Sequence, residues 1–234
     1  MVNSALESHQ AIFLERFKIF IYINKSAQST VTKWLEFVGS RQVERLELDF
    51  LCLSEKHGVE LGDLRPMKYL KTMCLRSLKV SGEDISLFLR NCPLLRKLFI
   101  TKASLTSDVH VSGATLALKH LQIRRRNGRD FNITISAPNL SIVFIDAGRG
   151  QLRFENVPKL VVTIFRIRTR ITMNNFFSTI SCLASQLQSL NLSTSRYEIL
   201  RKGFPQLSQL KTLIIQDKGK LDHTSLLAAT TYVV

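Results

Sequence analysis

The chain has 234 residues, 45% of them hydrophobic and 22% charged. That balance supplies enough apolar surface for a packed core and excludes wholesale disorder, while the length fits either one ordinary domain or one elongated repeat array. Thirty-three lysines and arginines against eighteen aspartates and glutamates leave a net charge of +15, which favours acidic partners (nucleic acid, anionic lipid or an acidic protein surface) and serves plain solubility equally well.

Cys52, Cys74, Cys92 and Cys182 are widely separated and form no C-x-x-C pair. A zinc site or redox dithiol therefore has no local basis, no metal or other cofactor is expected, and reduced, mostly buried thiols are the default. The leading MVNSALESHQ lacks the charged-then-apolar order of a secretory signal. No apolar run approaches the roughly 18 residues needed to span a bilayer. The expectation is a soluble, intracellular chain of cytoplasm or nucleus, without membrane attachment.

In chain order, one pattern recurs: an apolar residue, two variable ones, an apolar, one variable, an apolar. It first appears as LERFKI from Leu14. A helix is expected from Ser29 or Thr30 to Val38, with N-cap residues ahead and Gly39 as a stop; Trp34 and Phe37 on it read as core. The pattern returns as VERLEL from Val43 and LKTMCL from Leu70. Ser81-Gly82-Glu83-Asp84 resembles a capping box with Asp in place of Glu, opening a helix that must end near Cys92, ahead of Pro93. Four more frames follow: LRKLFI from Leu95, LKHLQI from Leu118, LSIVFI from Leu140 and LVVTIF from Leu160. The segments between Leu118 and Leu160 are too short for a full helix and should return as turns or short strands. Helices are again expected in NNFFSTISCLA from Asn174 and RYEILRK from Arg196. The frames LQSLNL from Leu187 and LKTLII from Leu210 close the series.

The frame starts step by 29, 27, 25, 23, 22, 20, 27 and 23 residues, inside the roughly 20–29-residue window of leucine-rich repeats. Within the frames only Thr163 is not apolar. Pro66, Pro93, Pro138, Pro158 and Pro205 each lie two to five residues before a frame. Proline lacks an N–H for a sheet ladder, so it belongs ahead of a strand and not inside one. The last two apolar residues of each frame alternate with variable ones, as in a strand with one face buried. One such strand cannot bury its face alone, but stacked neighbours share a core while variable residues line a concave side. The expected architecture is an α/β leucine-rich-repeat horseshoe with a parallel concave sheet and helices or short turns on the convex side. It forms a single domain, 1–234, of about nine degenerate repeats. The asparagine ladder of regular repeats is absent: the position eight after a frame start reads Leu51, Leu78, Ala103, Arg126, Gly148, Ser195 and Lys218 at seven of them.

KWLEFVGSRQVERLELDF (Lys33 to Phe50), ISLFLRNCPLLRKLFI (Ile85 to Ile100), ISAPNLSIVFI (Ile135 to Ile145), ENVPKL (Glu155 to Leu160) and FPQLSQLKTLII (Phe204 to Ile215) resemble the repeat region of plant F-box/LRR proteins, including those with a C-terminal FBD domain. The resemblance implies a region that holds a protein for ubiquitination, while an N-terminal F-box docks on the adaptor of a cullin-RING ligase. The stretch ahead of Leu14 is too short for an F-box, and the chain stops at Thr230-Thr231-Tyr232-Val233-Val234, where the family continues. A repeat region without its F-box and without a complete FBD domain is expected, with the ligase adaptor a partner only if a longer form carries an F-box.

On these frames the concave side presents Glu44, Arg45, Glu47 and Asp49, then Lys71, Thr72 and Arg76, then Arg96, Lys97, Phe99 and Lys102, then Lys119, His120, Gln122, Arg124 and Arg125. Acidic charge gathers at one end and basic charge in the middle. From Lys71 onward the basic strip suits an acidic or phosphorylated protein segment, because arginine offers a planar fork to carboxylate or phosphate; the same side chains also serve as a merely solvated face. Arg124-Arg125-Arg126 with Arg129, and Arg166 with Arg168 and Arg170, read as charge clusters at strand ends. They are basic enough for nucleic acid but lack a recognition signature or interleaved aromatics. His9, His57, His110, His120 and His223 are scattered, and no metalloprotease helix, nucleophile elbow or phosphate-cradling glycine loop occurs; no catalytic residue is expected. His57-Gly58 and Gly148-Arg149-Gly150 read as turns. The functional expectation is a protein-binding module of the F-box/LRR type. The alternatives are a basic nucleic-acid-binding protein and a truncated, non-functional repeat fragment.

Overall fold

The computed structural model describes residues 10–23, 28–52, 65–125, 131–147, 150–167, 173–194 and 204–217. Each of the nine frames runs into one strand of a parallel sheet. The strands are β1 (Phe13–Ile23), β2 (Gln42–Cys52), β3 (Thr72–Arg76), β5 (Lys97–Leu105), β7 (His120–Arg125), β9 (Ile142–Ala147), β11 (Val162–Ile167), β12 (Ser189–Thr194) and β13 (Thr212–Asp217), hydrogen-bonded in that order. A two-residue strand, β4 (Lys79–Val80), pairs with the far end of β5. Sequential order with every pair parallel is the mark of a solenoid, in which each strand rests only on its neighbours. The fold is the leucine-rich-repeat horseshoe the spacing implies.

The core explains the frame. In the seven frames from Val43 to Leu192 all three template positions are buried, most of them completely. A fully buried Leu, Ile or Phe contributes about 1.5–3 kcal/mol, so the stack of template residues dominates the favourable side of folding. Thr163, the one polar template residue, is buried with its hydroxyl oxygen lacking a hydrogen-bond partner. Around it runs an aromatic series: Phe154 to Phe165 (6.4 Å between ring centres), Phe165 to Phe176 (5.7 Å), Phe176 to Phe177 (6.0 Å) and Phe177 to Phe204 (6.2 Å). Trp34 is buried, and Phe37 packs 5.8 Å from Phe17.

The prolines start the strands as expected. At Pro93, Pro138 and Pro158 the residue before proline accepts a turn hydrogen bond from the frame's opening leucine: Leu95 to Cys92, Leu140 to Ala137 and Leu160 to Val157, each 3.0 Å. Proline at the second position of such a turn presets the required φ.

The strands leave the sheet through a corner. Ser77 and Lys102 have φ of 59° and 52°, the left-handed region rarely visited outside glycine. Each is followed by a buried apolar residue, Leu78 or Ala103, at the position where regular repeats carry asparagine. A backbone reversal and a core side chain thus replace the ladder.

The return segments differ along the chain. Early ones are helical: α1 (Gln28–Gly39) and α2 (Gly82–Asn91). At α2 the Ser81 hydroxyl accepts from the Asp84 N–H at 3.0 Å and the Asp84 carboxylate accepts from the Ser81 N–H at 2.7 Å, a complete capping box, and Cys92 follows as the C-cap. The middle returns are extended instead. β6 (Val109–Ser112), β8 (Ile133–Ser136) and β10 (Leu152–Phe154) form a second, three-stranded parallel sheet. The two strands between Leu118 and Leu160 accord with the shortness of those steps; β6, one repeat earlier, was not anticipated. Glycine is needed where these returns stack: a Cβ on Gly82 would lie 1.8 Å from the Asp108 carbonyl oxygen, and one on Gly150 1.9 Å from that of Phe131. A side-chain ladder ties the level together, the Asn132 N–H and Nδ2 donating to Asp108 while its Oδ1 accepts from the Gln151 N–H, all at 2.9 Å. Helix α3 (Met173–Ser181) resumes the helical return at the position expected from NNFFSTISCLA. The helix expected from Arg196, and the turns at His57-Gly58 and Gly148-Arg149, lie outside the described residues.

Candidate partner-binding face

Strand alternation sends one set of side chains into the core and the other onto the concave face. In-register pairing then aligns the outward set into rows across the sheet. One row reads Lys18, Glu47, Cys74, Phe99, Gln122, Phe144, Ile164, Asn191 and Ile214. The row toward the strand starts carries Arg45, Thr72, Lys97, His120, Ile142 and Val162.

At the β1–β3 end the charges satisfy one another. The Arg16 Nη2 donates to Glu47 Oε2 at 2.8 Å, Arg45 Nε lies 2.6 Å from Oε1, and Lys18 Nζ lies 3.9 Å from Oε2. Burial alone would push the Glu47 carboxyl up, but the hydrogen bond from Arg16 and the charges of Arg45 and Arg16 outweigh it and hold the group below the usual carboxylate range. Arg76 pairs with Asp49 at 3.6 Å and Lys71 with Glu44 at 2.5 Å. Two of the cations expected to meet a partner, Lys71 and Arg76, are therefore engaged within the chain.

The middle is different. Arg96, Lys97 and Lys119 are exposed at the strand starts, and none of them has an acidic partner among the described residues. The edge of the Phe99 ring meets the His120 ring, 4.8 Å between centres at 77°. Burial, and then the nearby Lys97 charge, hold the His120 imidazole below the ordinary histidine value, so it is neutral at pH 7. Gln122 stands half-buried in the next row. Arg124 reaches across to the neighbouring strand, its guanidinium 5.3 Å from the centre of the Phe144 ring. From the far side Arg166 approaches the same ring at 5.9 Å. Arg125 is the last residue of β7 and pairs with Ala103. Lys102 does not join these rows: a bulge falls between Thr101 and Ala103, and Lys102 occupies the left-handed corner there, exposed. Its expected place among the concave residues is corrected accordingly. A bulge residue drops out of the two-residue alternation on which the expectation rested.

Phe144 and the half-buried Ile142, Val162 and Ile164 beside it were missed from sequence, and Arg166 was read only as part of a strand-end charge cluster. The same rule that named Lys97, Phe99 and Arg124, applied to the frames at Leu140 and Leu160, finds all five and also the buried Asp146 in register with Arg166. Chemically, the middle of the face offers an apolar floor with cations at its margins, which suits noncovalent recognition. Its neighbour Cys74 is held as a thiol by burial and by Glu47, and burial pushes Cys92 up to about 12; neither is poised as a thiolate. Cys182, also raised by burial, is exposed, contrary to the expectation of mostly buried cysteines. Among the described residues no helix is long and apolar enough to cross a membrane.

No curated protein and no solved structure matches the chain. A family model does: the one described as At1g61320/AtMIF1, LRR domain, over residues 50–229. That match takes in the strands from β3 to β13 and every residue of the central floor. The chain belongs to this leucine-rich-repeat domain family.

Proposed function

We propose that the chain is a protein-binding module whose concave face captures its partner, and that it acts as the substrate-recognition region of an F-box subunit in an SCF-type cullin-RING ubiquitin ligase. The observation that carries the binding reading is the contrast within one face: an apolar, half-exposed centre bounded by Arg96, Lys97 and Lys119, which have no acidic partner among the described residues, beside an end whose charges are mutually paired. The leucine-rich-repeat family and solenoid support protein binding in general. The ligase role rests on the resemblance of the Asn91-Cys92-Pro93-Leu94-Leu95 and Ala137-Pro138-Asn139-Leu140 elements to F-box/LRR repeats.

Affinity capture with the product of the complete gene tests both parts. Lysine crosslinking of the captured partner should map to Lys97 and Lys119 on the concave side; crosslinks confined to Lys33, exposed on the return helix α1, would overturn concave binding. Charge reversal at Arg96, Lys97 and Arg124 should weaken capture. Co-purification of the ligase adaptor and cullin upholds the ligase role, and their absence removes it while leaving the binding module. Nucleic-acid binding of the +15 chain would show as an affinity falling steeply with salt.

A further inference from the structure

We propose that the strand starts from β5 to β11 recognise an extended segment of the partner protein that carries a phosphorylated serine or threonine, with an apolar side chain about three residues away. The phosphate meets Arg96, Lys97 and Lys119, and the apolar side chain covers Ile142, Val161 and Val162. This rests on the protein-binding reading above and names the chemistry of the partner.

The backbone ladder gathers the three cations. The Lys119 N–H donates to the Arg96 carbonyl at 2.8 Å, the His120 N–H donates to the same oxygen at 3.0 Å, and Lys97 stands in register with His120. Arg96 and Lys97 are thus consecutive at the start of β5, with Lys119 one strand away at the start of β7. All three are exposed, and none has an acidic partner among the described residues. On the preceding strands Glu44 is engaged by Lys71, and Glu47 by Arg16 and Arg45. Asp146 lies further along β9 than Ile142, by a rise of roughly 13 Å. Three like charges without a counter-charge favour a ligand that brings more than one negative charge. A phosphomonoester brings about −1.5 to −2 and three acceptor oxygens, and Arg96 offers it a planar fork.

Beyond β7 the same two columns turn apolar. Arg96 and Lys119 are continued by Ser141 and Val161, through N–H donation from Ser141 to Lys119 at 2.9 Å and from Val161 to Ser141 at 3.1 Å. Lys97 and His120 continue in register to Ile142 and Val162. Ile142, Val161 and Val162 are half-buried. The strip is bounded by the paired Lys71 with Thr72 on one side and by Gln188 with Ser189 on the other. From the middle of its cationic half to the middle of its apolar half is two sheet steps, roughly 10 Å, a span of about three extended residues. The apolar half argues against a nucleic-acid backbone, because Ile142, Val161 and Val162 carry no side-chain donor for a second phosphate.

The test is fluorescence polarisation of the whole chain titrated against labelled Gly-Ser peptides. The main probe carries one phosphothreonine with a leucine three residues to each side. Its counterparts lack the phosphate, carry glutamate in place of phosphothreonine, or carry serine in place of the leucines; a single-stranded oligonucleotide completes the set. The main probe should bind saturably and at least tenfold tighter than any other. Arg96→Gln, Lys97→Gln and Lys119→Gln combined should weaken it at least tenfold, with melting curves confirming the fold. Val162→Thr and Ile142→Thr, which keep a β-branched side chain, should each cut the advantage of leucine over serine at least threefold. Lys33→Gln, on α1, should leave affinity within twofold. Absence of saturable binding, equal affinity for any other probe, or indifference to the cation or the apolar variants overturns the proposal. A natural partner crosslinked at Lys97 or Lys119 whose capture survives phosphatase treatment overturns it while sparing concave-face binding; a partner crosslinked only at Lys33 overturns the underlying reading.

Discussion

Strands β1–β3 and β7–β11 share one sheet and one core, yet both of their faces are built on different plans. On the concave side the early strands spend their charges on each other, Glu47 alone drawing in Arg16, Arg45 and Lys18. The central strands instead hold two arginines against one aromatic ring, Arg124 and Arg166 on either side of Phe144. On the convex side the early returns described are the helices α1 and α2, and α2 is closed by caps at both ends. The central returns are strands that depend on the neighbouring level for every ladder bond. One end of the solenoid is thus locally self-sufficient, and the middle depends on its neighbours. The lesson is that a repeat architecture fixes the position of side chains and leaves their economy free to vary.

The largest expected effect lies in the central returns. Gly150→Ala forces a Cβ to within 1.9 Å of the Phe131 carbonyl oxygen, so the backbone must shift against a stacked neighbour. We expect a loss of about 3 kcal/mol or more in urea unfolding. A loss below 1 kcal/mol would show that the central returns move as freely as loops. The helical returns should be more forgiving. Ser81→Ala removes one half of the α2 capping box and should cost about 1 kcal/mol, with the melting temperature as the readout; a cost equal to that of Gly150→Ala would erase the distinction.

In the central core, Thr163→Val removes a buried hydroxyl that lacks a partner while keeping the shape. It should stabilise the fold by about 1 kcal/mol. A destabilisation would mean that the hydroxyl is satisfied.

The smallest effect concerns Glu47, whose carboxyl is held below its ordinary range in the folded state. Its contribution is present above the unfolded carboxylate value and is lost as pH falls through the lower folded value. The native chain should therefore lose more stability than Glu47→Gln between about pH 5 and about pH 3. The difference should be no more than about 1 kcal/mol, since the cations around it are half exposed. Parallel acid curves for the two proteins would show the paired end to be energetically idle.

The strands were legible because their determinant is periodic: three apolar positions per frame, each reaching the core, with proline turns announcing three of the starts. Helix α2 was legible to the residue because a capping box is a local chemical device, and Ser81 and Asp84 suffice to write it. The concave chemistry was legible only in part. Lys71, Arg76, Arg96 and Arg124 could be assigned to a face, but whether a cation is free depends on what the next strand brings beside it. Glu44 and Asp49 lie 27 residues from the Lys71 and Arg76 they engage, and no local pattern reports that. Lys102 misled because a single left-handed residue breaks the alternation silently. Strand β6 was missed because four residues, Val109–Ser112, alternate too briefly to stand out, and gain their meaning only from β8 stacked beside them.

The corners at Ser77 and Lys102 have a consequence for how such a chain can change over generations. The exit from the sheet is made by a backbone reversal and a small or branched apolar plug, and each new strand is restarted by its own turn. What lies between exit and restart is an insert of adjustable length. That is how steps from 20 to 29 residues coexist with concave rows that stay aligned. Insertions and deletions are absorbed on the outer curve, while point substitutions on the inner curve retune recognition. The two kinds of sequence variation therefore act on opposite surfaces, and a lineage can drift in length without surrendering its binding order.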